Sequence, residues 1–299
     1  MMNRLRNAFT SLTLILSAAL MVTWNTSTEA ATGGHHTTGS PSGSIYYPYG
    51  TLLHGVVTKI SDGDTIHFRI ESEYGKVLYP LKNWAEGTMP EPQMSKNYGK
   101  ILKVRMIGID TAELHLPAPG GVYSQGYWGE EGERELAREI PVGTEVDLHT
   151  YGTDTHGRVL GRVYSQHQDI NLHMVAVGVA SPYQLCQGPT CRPGYFEEQR
   201  SREYEVACQI AVEEKAGIHH PIDGLEELPF EFRLRIQQRS PNKYVGDSRT
   251  KKLYLPEEYK KVPQCNRIFF PLLTEAQKMG YKPTFKVSDE MKPSSASLR

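Results

Sequence analysis

Two short segments in which side chains alternate in polarity, joined by a tight acidic turn, most constrain how this chain folds. Residues 56–60 and 66–70 each show a period of two, which is typical of a strand with one buried face. The sequence Ser-Asp-Gly-Asp (61–64) separates them and is rich in residues that favour turns. These segments predict two consecutive strands of one sheet.

The rest of the first 220 residues predicts three more strands and about three helices. The strands are expected at 101–109, 145–151 and 159–164, and helices at 130–140, in a short stretch capped by Asp169 or Asn171, and from Phe196 to Gly217. Residues 71–100 contain three prolines, which predicts a long irregular segment. Short strands with a buried face and appended helices indicate an α+β fold, a five-stranded OB-type barrel with about three helices spanning 52–220.

The amino terminus has the pattern of an export signal. Arg4 and Arg6 precede an apolar run at 12–22, and small residues follow at the positions that a signal peptidase reads. Residues 1–30 are therefore predicted to be a signal peptide, cleaved after Ala30 or Ala31, and 31–51 a flexible linker. The alternative is an uncleaved membrane anchor, although the run is short for a span of about 20 residues. With no second apolar stretch of that length, we expect a protein without a stable membrane span, secreted or retained in the periplasm or cell envelope.

Four cysteines remain in the predicted mature chain. An even number permits disulfides in an oxidising compartment. Cys186 and Cys191 flank a short turn-rich loop and are the predicted pair. No CxxC spacing occurs, so zinc is not expected.

Residues 221–299 differ from the preceding domain in charge. The chain has a formal net charge of −1, and a mean hydropathy of −0.48 excludes a polytopic membrane protein. The near-zero net charge is the sum of two unlike parts. Residues 50–220 contain 16 basic and 23 acidic residues, whereas 221–299 contain 15 basic and 10 acidic residues. We predict a small basic α+β accessory domain at 221–284, with a strand at 230–237 where side chains alternate, and a disordered tail at 285–299. A basic unit of this kind would supply salt-sensitive affinity for a polyanion.

Carboxylates at the ends of strands are the candidate catalytic and metal-binding groups. Asp64 continues the apolar face of the second strand, and Asp110 ends the third. Such oxygens suit Ca²⁺, Glu113 lies within reach as a base, and Arg105 has a planar fork that matches phosphate. Strand alternation puts Arg105 and Asp110 on opposite faces, so a bend near residue 108 is required to bring them together.

Six motifs follow one another along the predicted barrel domain: Asp-Gly-Asp-Thr (62–65), Val-Arg-Met-Ile-Gly-Ile-Asp-Thr-Ala-Glu (104–113), Asp-Thr-His-Gly-Arg (154–158), Ile-Asn-Leu (170–172), Val-Gly-Val-Ala (177–180) and Ala-Gly-Ile (216–218). In this order they strongly resemble the staphylococcal nuclease family. The resemblance spans about 52–220 and implies a calcium-dependent phosphodiesterase acting on DNA and RNA. Ala112 and His156 depart from the family pattern, and the 71–100 segment is longer than the family's hairpin.

The resemblance also implies roles for individual residues. Calcium would be bound by the Asp64 and Asp110 carboxylates and the Thr111 carbonyl. Glu113 would orient or deprotonate water, and the two arginines Arg105 and Arg158 would clamp the phosphate. The nucleotide would contact Tyr183.

The carboxy-terminal segment resembles a second family less closely. Tyr-Val-Gly (244–246), the run 251–258, Asn-Arg-Ile-Phe-Phe (266–270) and Gly-Tyr-Lys-Pro (280–283) are similar to the small zinc-binding domain of methyl-DNA repair proteins. The cysteines that hold the metal there have no counterparts here, which implies a degenerate accessory domain without zinc. The leading hypothesis is a secreted calcium-dependent nuclease. The alternative is an inactive nuclease-fold module that binds nucleic acid or a protein partner.

Overall fold

Five strands close into the predicted OB-type barrel. The computed structural model describes residues 47–186, 191 and 198–287. The predicted signal peptide, residues 31–46 of the predicted linker and residues 288–299 of the predicted tail lie outside this range. The chain divides into two compact units, 1–43 and 44–299, and only the second contains described residues.

The barrel consists, in spatial order, of β1 (Thr51–Asp62), β8 (Glu145–Thr153), β9 (Val159–Ser165), β4 (Ile101–Met106) and β2 (Thr65–Lys76), and pairing of β1 with β2 closes it. Only β4 and β9 pair in parallel, whereas the other neighbours are antiparallel. The elements of the first part of the chain are β1 (Thr51–Asp62), β2 (Thr65–Lys76), α1 (Pro80–Glu86), β3 (Gln93–Met94), β4 (Ile101–Met106), β5 (Gly108–Thr111), β6 (Leu116–Ala118), β7 (Gly121–Tyr123), α2 (Tyr127–Glu139), β8 (Glu145–Thr153), β9 (Val159–Ser165), β10 (Gln168–Asp169), α3 (Ile170–Ala176), β11 (Ala180–Leu185) and α4 (Glu198–Glu213).

The barrel core follows the alternation seen in the sequence. In β4, and in β2 as far as Ile70, every second side chain points inward and is fully or nearly fully buried. These side chains belong to a hydrophobic cluster that also includes residues of α2 and α3. Its members include Leu53, Val57, Ile66, Phe68, Ile70, Leu102, Val104, Met106, Leu136, Val146, Leu148, Val163 and Met174.

The 71–100 segment is more ordered than the sequence predicts. Strand β2 continues to Lys76, α1 follows, and β3 pairs with β2. The indole of Trp84 stacks on His167 at 4.8 Å and meets Tyr164 edge-on at 5.3 Å. This tryptophan therefore packs against the barrel.

The segment after residue 221 shares a sheet with the predicted nuclease domain. Its elements are α5 (Pro229–Ile236), β12 (Tyr244–Asp247), β13 (Lys252–Tyr254), β14 (Arg267–Phe270), α6 (Leu273–Lys278) and β15 (Lys282–Pro283). Strand β14 pairs in parallel with β11, and β11 pairs with β5, giving the order β15, β13, β12, β14, β11, β5. A disulfide joins Cys208 of α4 to Cys265. The carboxy-terminal segment is thus part of the same compact unit, and its resemblance to the zinc-binding domain stays an expectation.

The strand predicted at 230–237 is wrong, because these residues form helix α5. Pro229 occupies the first turn, where its fixed φ suits a helix and its missing N–H costs nothing. The Glu231 carboxylate accepts a hydrogen bond from the Leu228 N–H at 3.1 Å, which caps the amino-terminal end. These local signals override the alternation of apolar and charged residues.

The last residues of the predicted linker, 47–51, belong to the folded domain. Tyr47 is buried, and its hydroxyl accepts a hydrogen bond from the Asn97 side chain at 2.8 Å. Gly50 N–H donates to the Thr150 carbonyl at 2.9 Å, so residues 47–51 already pack on the barrel. Among the described residues, no helix has the length and apolar character needed to cross a membrane.

Candidate active site

A bend between β4 and β5 brings Arg105 and Asp110 together. Gly108, the first residue of β5, adopts φ +79°, a left-handed conformation that glycine tolerates best. Beyond the bend, the Arg105 guanidinium donates to the Asp110 carboxylate at 3.0 Å and to the Ile109 carbonyl at 3.2 Å. The predicted bend is therefore present, and it overcomes the strand alternation that would have separated the two side chains.

Asn171 holds this bend and was not among the predicted site residues. Its buried side chain donates to the Ile107 carbonyl at 2.9 Å and accepts from the Val163 N–H at 3.0 Å. These bonds tie the bend to β9 from within α3. The Ile-Asn-Leu motif draws attention to this residue in the sequence. Only the tertiary contacts show that Asn171 has a structural role at the bend.

The acidic turn between β1 and β2 places Asp64 against the same bend. Gly63 packs so closely on Thr111 and Gly132 that a Cβ there would lie 2.8 Å from the threonine side chain. The Asp64 carboxylate accepts from the Thr111 N–H at 3.1 Å and from the Thr65 hydroxyl at 3.2 Å. It also forms an ion pair with Arg105, which thus bridges both aspartates.

Helix α5 contributes an arginine to this site that the sequence did not predict. The Arg233 guanidinium binds both oxygens of Asp110, at 2.7 and 2.8 Å, and its Nη1 also lies 2.6 Å from Glu113. The Asp110 side chain has no exposed surface, whereas those of Glu113 and Arg233 are 20% and 26% exposed. We refer to Asp64, Asp110 and Glu113, with their two arginines, as the acidic cluster.

Burial and charge set the protonation behaviour of the cluster. Burial raises the pKa of Asp64, but the adjacent Arg105 and the Thr111 N–H together bring it below its usual value. Burial raises the pKa of Glu113 despite the ion pair with Arg233. The neighbouring Asp62 is half-buried beside Asp64, and this desolvation and the charge of Asp64 raise its pKa to about 7.

The remaining predicted residues lie at varied distances from this cluster. Arg158 precedes β9, the strand that pairs with β4, and its Nε donates to Asp154 at 2.8 Å. Among the described contacts, none joins Arg158 to the acidic cluster. Tyr183 lies on β11, with its ring 5.9 Å from the Arg233 guanidinium carbon, and burial followed by the charge of Asp110 raises its pKa to about 12. The predicted pair Cys186 and Cys191 forms a disulfide at the end of the same strand.

The donor chemistry of the cluster fits a hard divalent cation. The carboxyl groups of Asp64, Asp110 and Glu113 face two guanidinium groups, and Asp62 adds a fourth carboxyl beside Asp64, so an excess of negative charge remains when all are ionised. Oxygen donors of this kind are those that Ca²⁺ prefers. Both oxygens of Asp110 are bound by Arg233, however, so a cation would have to compete with this side chain for them.

Comparisons with known proteins point to nucleases. Residues 103–218 match the family described as Staphylococcal nuclease homologue. The chain is 30% identical over 237 residues to Endonuclease YhcR of Bacillus subtilis, covering 76% of this chain and 16% of that protein. It is 28% identical over 210 residues to Probable endonuclease LCL3 of Coccidioides posadasii, covering 67% and 63% of the two chains. A protein of the same name from Komagataella phaffii is 28% identical over 137 residues, covering 44% and 56%.

The chain thus spans less than two thirds of each of these relatives, and only about a sixth of the Bacillus protein. The closed barrel, the bend that joins Arg105 to Asp110 and the match over 103–218 nevertheless point the same way. Together they support a domain of the staphylococcal nuclease family in this chain.

Proposed function

We propose that this protein is a nuclease that hydrolyses phosphodiester bonds of DNA and RNA with the aid of calcium. The observation behind the proposal is the convergence of three carboxylates at the bend of an OB-type barrel. Arg105 joins Asp64 to Asp110, and Arg233 joins Asp110 to Glu113. The names of the relatives, two of them probable endonucleases, favour an enzyme over an inactive binding module.

In this proposal, each group of the cluster has a separate task. The Asp64 and Asp110 carboxylates and the Thr111 carbonyl would hold the cation, which supplies Lewis-acid stabilisation of charge on the phosphate. Water would provide the oxygen that bonds to phosphorus, and Glu113 would accept its proton. The ester oxygen would leave and take up a proton. Arg105, at the centre of the cluster, and Arg158 would neutralise the phosphate oxygens.

The predicted export signal suggests where the enzyme works. Two disulfides among the described residues suit an oxidising compartment. We therefore propose a secreted or envelope-located protein. Sequencing the amino terminus of the mature protein tests this directly, because a first residue at 31 or 32 is expected and an intact Met1 would refute it.

The decisive test is digestion of plasmid DNA and of RNA with calcium and with a chelator. We expect cleavage only with calcium, and a fall of about 10²- to 10⁴-fold in turnover for Glu113→Gln, the range in which a general base contributes. Glu257→Gln removes an exposed carboxylate outside the cluster and is the matched control. Cleavage in excess chelator would refute the calcium requirement, and binding without any cleavage would favour the inactive module.

A further inference from the structure

A small pocket adjoins the acidic cluster on the side of helix α5. Its volume is about 100 Å³, and it is lined by α5 together with the segments on either side of β12 and β13. Tyr183 and Arg233 form the boundary that it shares with the cluster. The pocket is therefore next to the site where a phosphodiester would be cut.

The floor of this pocket is aromatic. Phe230 and Phe269 are buried beneath it, with the Tyr183 ring 4.7 Å from Phe269 and the Tyr259 ring 5.2 Å from Phe230. Aromatic surfaces of this kind accept an unstacked nucleobase without regard to its sequence.

The rim of the pocket is cationic and lacks acidic partners. Arg239 and Lys243 both line it, and within the described ranges neither lies within ion-pair distance of a carboxylate. Their polar neighbours are neutral, since Arg239 donates to Gln237 at 3.0 Å and Lys243 to Asn242 at 3.2 Å. Burial, and then the charges of Arg239 and Arg233, lower the pKa of Lys243. The rim is thus a concentration of positive charge that a phosphate would neutralise.

We propose that this pocket is a nucleotide subsite for a single-stranded part of the substrate next to the bond that is cut. The base would lie on the aromatic floor and its phosphate between Arg239 and Lys243. A volume of about 100 Å³ suits one ring-sized group rather than a ligand that needs about 300–1,000 Å³. This proposal rests on the proposed nuclease function and gives the basic carboxy-terminal segment a specific role in it.

The first test measures binding without catalysis. Anisotropy of a fluorescent single-stranded oligodeoxynucleotide is recorded in chelator over a range of salt concentrations. For Arg239→Ala/Lys243→Ala, we expect weaker binding and a loss of about 0.7 from the slope of log K against log salt, the value for one phosphate contact on a single strand. The control Lys252→Ala/Lys278→Ala removes two exposed charges outside the pocket and should keep the wild-type slope. Thermal unfolding checks that both variants fold.

The second test separates a nucleotide subsite from a simple anion site. Calorimetry compares adenosine 5′-monophosphate with inorganic phosphate on the wild-type protein. Stacking predicts that the nucleotide binds about 5- to 150-fold more tightly. Equal binding of the two probes would overturn the base-binding part of the proposal.

An unchanged oligonucleotide affinity and salt slope in the Arg239→Ala/Lys243→Ala variant would overturn the proposal as a whole. Both measurements are made without cleavage, so they remain informative if the wild-type protein proves to have no nuclease activity.

Discussion

Replacing Arg233 by methionine would test whether this side chain competes with calcium for the acidic cluster. The substitution keeps the length and apolar stem of the side chain while removing its charge. Arg233 binds both oxygens of the fully buried Asp110 and one oxygen of Glu113. If calcium also takes its ligands from Asp110, the arginine must release these oxygens first.

The size of the effect follows from these contacts. Removing one partner of a buried ion pair costs about 3–5 kcal/mol, and the lower end applies because Arg105 still neutralises Asp110. We therefore expect Arg233→Met to lose about 3 kcal/mol of unfolding free energy in chelator. In the variant, calcium no longer has to displace Arg233 from these oxygens. The calcium affinity should therefore rise by up to about 100-fold, since each factor of ten corresponds to 1.36 kcal/mol.

Urea unfolding in chelator and calcium titration by calorimetry measure the two quantities separately. Arg235→Met is the matched control, because Arg235 lies on the same helix, is exposed and pairs with Glu227 at 2.9 Å outside the cluster. It should change neither quantity appreciably. Calcium binding to Arg233→Met that is equal to or weaker than that of the wild type would refute the competition.

Three further predictions concern groups that support the site. Asn171→Ala should lower the unfolding free energy by about 2–4 kcal/mol, since it leaves the buried Val163 N–H and the partly buried Ile107 carbonyl without this partner; urea unfolding measures this. Burial lowers the pKa of His149 to about 3. Below about pH 6.5 the unfolded chain therefore takes up a proton at this residue while the folded chain does not. The stability of the folded protein falls as the pH drops through this window. Between pH 7.5 and pH 5, the wild type should therefore lose about 2 kcal/mol more than His149→Phe. Replacing Cys208 and Cys265 by serine should cost about 4 kcal/mol in the chain-entropy account of a loop of this length, as measured by denaturant unfolding.

Each of these three predictions has an outcome that would contradict it. An Asn171 variant as stable as the wild type would mean that the bend does not depend on this side chain. Parallel pH profiles for the wild type and His149→Phe would show that the imidazole is not held neutral. If loss of the Cys208–Cys265 bond left the unfolding free energy unchanged, the carboxy-terminal segment would be held in place by its sheet contacts alone.

Much of the barrel and part of its site were predictable because their signals are local. Period-two alternation marked the strands, and the Asp-Gly-Asp turn and the Gly-Ile-Asp sequence at 108–110 marked the positions of the carboxylates. The need for a bend near residue 108 followed from alternation alone, since Arg105 and Asp110 would otherwise face opposite sides. The bend itself, with φ +79° at Gly108, came from the fold.

The carboxy-terminal contribution was not predictable in the same way. Alternation at 230–237 predicts a strand, in which Phe230 and Arg233 would lie on opposite faces, whereas helix α5 puts them on the same face, three residues apart. Arg233 then reaches Asp110, 123 residues earlier in the chain, because β14 pairs with β11 and β11 with β5.

The sequence by itself therefore determined the barrel and the identities of its carboxylates. Only the tertiary structure decided that Arg233 binds two of them and that an aromatic and cationic pocket lies beside them. The physical reason is that strand and turn patterns act between near neighbours, whereas pairing of distant strands and burial of an ion pair depend on the whole fold.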